Sequence, residues 1–466
     1  MSIITMKFGG TSVGSAEAIS NVIHIAKRER SAGNWPVLVV SAMSGVTDSL
    51  INIIGLAVNG DKWGYLSEAQ KLRDRHDEAL NALTSPGKAR DAVSLTLNKL
   101  IDEVVEICHA VNILSEASPK IRDAVVSHGE RLSARLVAAG LAEQGVDSRA
   151  LDATQFIVTD DKFGAAAPFW SETRSRIESG LLPLIESGVT PVLTGFIGAT
   201  PAGAVTTLGR GGSDFSGAIF AAYTASTELV IWTDVDGVMT TDPRIDRRAK
   251  VIPQVSYTEV GELAYYGAKV LHPKTVQPIL DIEMPLRVRN TFNYDHPGTL
   301  VTPHSEPSTT VIKAVTAVRN VSMLTVGGRG MIGVPGIAGR VFTAAARANA
   351  NILMISQSSS EQAMCMVVTD ERAAAAKLAI EEDLDAEVAR NNVEEISIRD
   401  DIAIVTAVGA GMRGTPGVAG RVFQAMGAEE INVLMIAQGS SECSISFVVT
   451  ETDLKRAVMC LHELAI

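Results

Sequence analysis

The residues best placed to do chemistry are an arginine-bearing glycine loop, two lysines beside small-residue turns, and a few isolated acids. The densest stretch is Thr206-Thr207-Leu208-Gly209-Arg210-Gly211-Gly212-Ser213-Asp214. Its glycines let the backbone approach a ligand closely. Ser213 and Asp214 stand where a helix N-cap is expected, with free amides pointing into the loop. Arg210 is a planar fork that can grip a carboxylate through two parallel hydrogen bonds. Such a loop suits a zwitterion, with Arg210 on its carboxylate and Asp214 on its ammonium. A plain glycine turn with a capped helix would use the same residues.

A second cluster opens the chain. Ile3 to Phe8 reads as a strand that carries Lys7 and ends in Gly9-Gly10-Thr11-Ser12. A helix from about Ser15 to Ala32 and a strand at Val37–Val40 complete a βαβ unit. A glycine turn at a helix start favours anions. It is not a Walker loop, because the Gly-Lys-Ser/Thr ending is absent and Lys7 precedes the glycines. Further small-residue or acidic turns follow at strand ends, where open α/β sheets hold ligands. They are Ser41 to Asp48 with Thr47, Thr233-Asp234-Val235-Asp236-Gly237 running on to Arg244, and Gly267-Ala268-Lys269. Glu130 opens a helix after His128-Gly129. It is either a first-turn acid or a partner for the same ammonium. Two lysines, glycine turns and an Arg loop fit phosphoryl transfer, where positioning and electrostatics supply most of the catalysis.

The elements that must position these groups come next. At 466 residues the chain needs two or three domains. Strand-like runs at Arg149–Leu151, Phe156–Val158, Pro191–Thr194 and Glu228–Asp234 alternate with helices, and Leu50 to Ala117 forms a helical lobe. The formal charge of −12 argues against a nucleic-acid partner. No apolar run is long enough for a membrane span, and no signal peptide is visible. The four cysteines are scattered, without metal spacing, and fit buried reduced thiols of a cytoplasmic protein.

The last third is a tandem repeat. Gly330 to Phe342 recurs as Gly411 to Phe423, and Asn351 to Glu361 as Asn432 to Glu442, at a constant offset of 81 residues. Each copy reads as a small α+β unit. The second lacks a final strand, and Val311–Val318 is a spare strand ahead of the first; it is expected to complete the second copy's sheet. Both copies match Gly-x-Gly-x-x-Gly, but Pro-Gly intervenes before the helix and no ribose-binding acid follows, so a dinucleotide site is rejected. A turn with free amides suits a smaller anion such as an amino-acid carboxylate.

Together, Lys7 to Ser12, His128-Gly129-Glu130, Gly209 to Asp214, Thr233 to Gly237 and Lys269-Val270-Leu271-His272-Pro273 resemble aspartokinase, nearly end to end and in order. The resemblance implies an α/β fold: an amino-acid kinase αβα sandwich with a mostly parallel sheet, followed by two α+β, ferredoxin-like ACT domains. The expected boundaries are 1–300 for the kinase, 311–400 for the first ACT domain and 401–466 for the second. It implies transfer of a phosphoryl group from ATP, carried with Mg²⁺, to L-aspartate. Lys7, Arg210 and Asp214 would be catalytic. Thr47, Glu130, Arg210, Ser213 and Asp214 would bind aspartate. Lys7, Gly9, Gly10, Ser12, Thr233, Asp234, Met239, Asp242, Arg244 and Lys269 would hold the nucleotide, and no protein cage for the metal is expected. Met239 stands where many members carry Tyr near the adenine, though a thioether can also lie on a ring. Met331, Gly336, Ile337, Asn351, Gln357 and Gln438 would bind an amino-acid effector. The Gln-x-Ser-Ser-Glu turns resemble the threonine-sensitive branch, with lysine as the other effector. That branch often adds a homoserine dehydrogenase domain, for which a chain ending at Ile466 has no room, so a monofunctional enzyme is expected. A homodimer or homotetramer through the ACT domains is implied. Another amino-acid kinase, or an inactive effector-binding regulator, would share parts of this pattern.

Overall fold

A computed structural model describes residues 2–266, 271, 273–304, 310–358 and 362–465. Lys269, with its neighbours Gly267, Ala268, Val270 and His272, and the turn Ser359-Ser360-Glu361 lie outside the described residues. Two compact units are present. The first holds 2–238, 253–257, 271 and 273–304; the second holds 239–252, 258–266, 310–358 and 362–465. The units do not follow a linear boundary at 300, because two short earlier segments are built into the second unit.

The first unit contains β1 (Ile3–Phe8), β2 (Trp35–Val40), β3 (Ser148–Leu151), β4 (Thr190–Thr194), β5 (Ile197–Ala199), β6 (Val205–Thr207), β7 (Glu228–Thr233), β8 (Gln254–Ser256), β9 (Leu286–Asn290) and β10 (Thr299–Thr302). Eight strands form one sheet in the order β3-β4-β2-β1-β7-β9-β10-β8. All neighbours are parallel except β9 and β10. β5 and β6 form a separate hairpin. The helices are α1 (Ala16–Ser31), α2 (Val46–Val58), α3 (Lys62–Leu83), α4 (Lys88–Leu114), α5 (Pro119–Val126), α6 (His128–Glu143), α7 (Trp170–Arg176), α8 (Leu182–Glu186), α9 (Gly212–Tyr223) and α11 (Pro273–Leu280), whereas α10 (Tyr257–Tyr265) belongs to the second unit from Thr258 on.

The central strands are apolar on both sides, as a sheet covered on both faces requires. In β2, Leu38 and Val40 join a core with residues of α1, α2, α4 and α6, whereas Val37 and Val39 join Ile219 and Phe220 of α9 on the opposite face. One expected strand is absent. Phe156–Val158 follows a tight turn at Ala153–Gln155 and contributes a single bridge, from Val158 to Ala199. Its apolar residues Phe156 and Ile157 are buried against the sheet instead of pairing along it.

The second unit is an antiparallel sheet of β11 (Ala314–Gly327), β12 (Met354–Gln357), β13 (Ala363–Thr369), β14 (Glu395–Val408), β15 (Met435–Ala437) and β16 (Ser444–Thr450), in the order β12-β13-β11-β14-β16-β15. Its helices are α12 (Ile337–Arg347), α13 (Asp370–Asp383), α14 (Asp385–Ala389), α15 (Val418–Ala428) and α16 (Leu454–His462). β11 and β14 are long and shared. Ala314–Val318 pairs with Ile404–Val408, beside the second copy's β16, while Val321–Gly327 pairs with β13 of the first copy. The register shifts between Val318 and Val321, where Asn320 takes a φ of 59°. A bulge of this kind bends both strands at the joint between the copies.

Candidate active site

Strand alternation aims Lys7. Met6 and Phe8 enter the core beside α1 and α2, so Lys7 points to the other face, toward α9. α9 can come close because Gly217 faces the lysine stem: a Cβ there would lie 3.1 Å from Lys7 Cβ. The ammonium ends 2.5 Å from Asp214 Oδ1, and the Lys7 side chain as a whole is 10% exposed. The glycine turn after β1 is less open than its sequence implies. The Gly9 amide donates to Trp232 O at 3.0 Å, and Ser12 Oγ bonds Thr291 Oγ1 at 2.7 Å. These two groups, expected at the nucleotide, are spent on joining β1 to β7 and β9. Gly10 does line the crevice.

The Arg210 loop also needs a correction. The N-cap of α9 is Gly211, with φ 75°, and Ser213 and Asp214 follow inside the first turn. A left-handed residue is needed there, which glycine supplies without strain. No side chain caps this helix, and none caps α2, which starts after Gly45 in the same conformation. Two helix starts therefore present amides that no side chain satisfies, each with a partial positive charge. Both border a crevice of about 570 Å³, lined by Lys7, Gly10, Ser41, Thr47, Asp48, Glu130, Arg210, Ser213 and Asp214 among others. Arg210 is exposed at its mouth.

Glu130 enters from α6. Gly129 lets that helix press on the turn after β2, since a Cβ there would be 2.7 Å from Ala42 Cβ. Glu130 is buried, and one of its oxygens accepts the Ala42 amide at 3.2 Å. The other, Oε2, has no hydrogen-bond partner among the described residues. Burial pushes its carboxyl up to about 8, against the pull of the Ala42 amide and the Lys7 charge. An orphaned buried carboxyl oxygen facing a crevice is a vacancy for a donor, and an ammonium is the donor that would ionise it.

Other expected residues lie elsewhere. Thr233 ends β7 and donates to Asp234 at 3.1 Å. Neither lines the crevice. Met239, Asp242 and Arg244 belong to the second unit. There Arg244 forms hydrogen bonds to Asp242 that hold its carboxyl below the usual range. The second unit has its own pocket of about 330 Å³, lined by Met331, Gly333, Gly336, Ile337, Gln357 and Met364 among others. Asn351 is not among its lining residues, and Gln438 follows β15 in the other copy. Two crevice residues, Phe196 and Gly164, carried no sequence signal; neither did Asp123, which anchors the loops behind them.

Comparison with known proteins places this geometry. Residues 2–290 match the amino acid kinase family, and 324–384 and 405–464 match the ACT domain. Aspartokinase 1, chloroplastic, of Arabidopsis thaliana is 32% identical over 468 residues, covering 98% of this chain and 79% of that protein. The chain belongs to the aspartokinase family. A bifunctional aspartokinase/homoserine dehydrogenase 1 of the same plant is 36% identical over 462 residues, or 98% of this chain and 50% of that protein. The chain thus spans about half the length of such bifunctional relatives. Among solved aspartokinases, E. coli aspartokinase III in complex with aspartate and ADP superposes with a TM-score of 0.80 at 29% identity, over 99% of both chains. The same enzyme is known with lysine and aspartate. Among the described residues, no helix is long and apolar enough to cross a membrane.

Proposed function

We propose that the chain is an aspartate kinase that moves the γ-phosphoryl group of MgATP to the side-chain carboxylate of L-aspartate, giving 4-phospho-L-aspartate and ADP. The observation that carries this reading is the meeting of Lys7, Arg210, Asp214 and Glu130 in one crevice between two helix starts without side-chain caps. Arg210 would clamp the α-carboxylate. Glu130 and Asp214 would take the ammonium, with Thr47 and Ser213 beside it. Lys7 would meet the charge that builds up on the transferring group. The nucleophile is a carboxylate, ionised at neutral pH, so no general base is needed. The crevice that Lys7 lines also offers the Arg210 guanidinium and the uncapped amides of two helix starts, which fits a phosphate chain. No group of three or more metal-ligating side chains occurs among the described residues. Mg²⁺ would be held by the phosphates and would supply charge neutralisation there. Thr233, Asp234, Met239, Asp242, Arg244 and Lys269 are retained as nucleotide contacts on the family resemblance.

The same reading assigns an amino-acid effector to the first-copy pocket. Threonine is favoured over lysine, because the described lining offers the Gln357 amide and no charged side chain to meet a second ammonium. The E. coli relative binds lysine, so both must be tried. Association through the ACT domains, a cytoplasmic location and service to lysine, threonine and methionine synthesis complete the proposal. The test is a steady-state assay with MgATP, L-aspartate and each effector. Lys7→Ala should lower kcat about 10²–10³-fold while leaving effector binding intact. Unchanged turnover would remove Lys7 from the mechanism. Gln357→Ala should weaken inhibition by threonine, and full activity at saturating threonine would defeat the effector assignment.

A further inference from the structure

Asp123 is a charged side chain that the proposed reaction does not use. It sits in α5 and is 3% exposed. Its carboxylate accepts three hydrogen bonds: from the Gly164 amide at 2.9 Å, the Thr207 amide at 2.8 Å and the Thr207 hydroxyl at 2.9 Å. None of these donors is a cation. A buried carboxylate without a counter-ion is costly unless its lone pairs are filled. Here they are filled by two separate loops.

Both loops reach the crevice. Thr207 ends β6, three residues before Arg210. Gly164 lines the crevice itself, as do Gly209 and Arg210. The two segments are stitched once more where Ala166 N donates to Thr207 O at 2.9 Å. Among the described residues no other side chain bonds Thr207, and the neighbouring Thr206 hydroxyl meets Thr159 Oγ1 at 2.6 Å. We infer that Asp123 is a positioning residue: it buckles the 160–168 loop to the end of β6 and so fixes how far Arg210 stands from the Lys7 end of the crevice. That distance sets which length of dicarboxylic amino acid spans from clamp to phosphoryl group. The inference rests on the aspartate kinase reading.

The test uses the full chain. In Asp123→Asn one acceptor oxygen becomes a donor that faces other donors, so up to two of the three bonds are lost. KM for L-aspartate is expected to rise about tenfold, the size of one charge-assisted hydrogen bond, with kcat and KM for MgATP within about twofold. Discrimination against L-glutamate should fall in parallel. Thr207→Val removes only the hydroxyl and should raise KM for aspartate about threefold; it carries the test if the first variant folds poorly. An unchanged aspartate KM, or equal shifts in all three parameters, overturns the inference. Amide exchange supplies a readout without turnover. Segments 160–168 and 204–211 should exchange faster in Asp123→Asn than in wild type, and equal exchange also overturns the inference. A wild-type chain that fails to phosphorylate aspartate sinks the functional reading alone, because exchange still decides what Asp123 holds.

Discussion

The crevice holds, in Glu130, a carboxyl in the wrong protonation state for its proposed ligand. Glu130 is pushed up to about 8 by burial, so it is largely protonated at neutral pH. An incoming ammonium needs the ionised form, and binding must therefore release a proton. The sign follows: affinity for L-aspartate rises with pH and levels off above the free-site value. For a group near 8, the penalty factor is roughly 30 at pH 6.5 and close to one at pH 8.5. Aspartate affinity should therefore rise roughly 25-fold across that window, about 1.9 kcal/mol. Titration calorimetry in two buffers of different ionisation enthalpy measures both quantities, and proton release near pH 7 should approach about 0.9 per site. Glu130→Gln keeps the acceptor for Ala42 N–H but cannot ionise. It should bind aspartate about 10–100-fold more weakly at pH 8.5, with no slope across the window. A wild-type affinity independent of pH, or a Glu130→Gln variant with the same slope, refutes the argument.

Three further outcomes are expected. His76 is fully buried in α3, with Nδ1 2.6 Å from Leu72 O, and burial pushes it down to about 4. The unfolded chain then binds the extra proton between pH 6.5 and 4, so stability is full above 6.5 and falls by about 3 kcal/mol toward pH 4. Urea unfolding of wild type and His76→Gln checks this, the variant losing that slope. Gly129→Ala puts a Cβ 2.7 Å from Ala42 Cβ. It should cost about 1–3 kcal/mol and raise KM for aspartate as Glu130 is displaced, measured by melting and steady-state kinetics. Thr316→Pro removes a ladder donor from β11 opposite Thr406, which should cost about 1–3 kcal/mol. Because β11 and β14 serve both ACT copies, exchange at Leu324 and at Phe447 should accelerate together; a response confined to the second copy would show that the copies unfold independently.

Much of the fold was legible because its signals are local. Lys7 and its glycines, the apolar runs of β2, β4 and β7, and the repeat offset of 81 residues can all be read without knowing what lies opposite them. Phe156–Val158 misled for the same reason. A short apolar run reads as a strand, but only a neighbouring edge can make it one, and here a single bridge at Val158 is all that forms. The cap of α9 misled differently. Ser213 and Asp214 are residue types that favour caps, yet Gly211 in the left-handed region caps the helix two residues before Ser213, so both side chains face the crevice instead of capping.

The site itself was half legible, and the split has a physical cause. Lys7, Arg210 and Asp214 announce themselves as charges beside glycines, so their positions follow from the turn that carries them. Gly9 and Ser12 carry the same local signal, but their amide and hydroxyl meet Trp232 and Thr291, more than 200 residues away, and no turn chemistry foretells that. Asp123 and Glu130 show the converse. Each is a buried carboxyl group held mainly by backbone amides, Ala42 for Glu130 and Gly164 and Thr207 for Asp123, with the Thr207 hydroxyl as Asp123's third donor. An amide has no residue type, so the sequence cannot name it. Only the fold shows which acid is satisfied and which keeps an oxygen open: all three donors close around Asp123, while Glu130 retains Oε2 without a partner. That difference separates an acid that holds loops in place from one left ready for an ammonium.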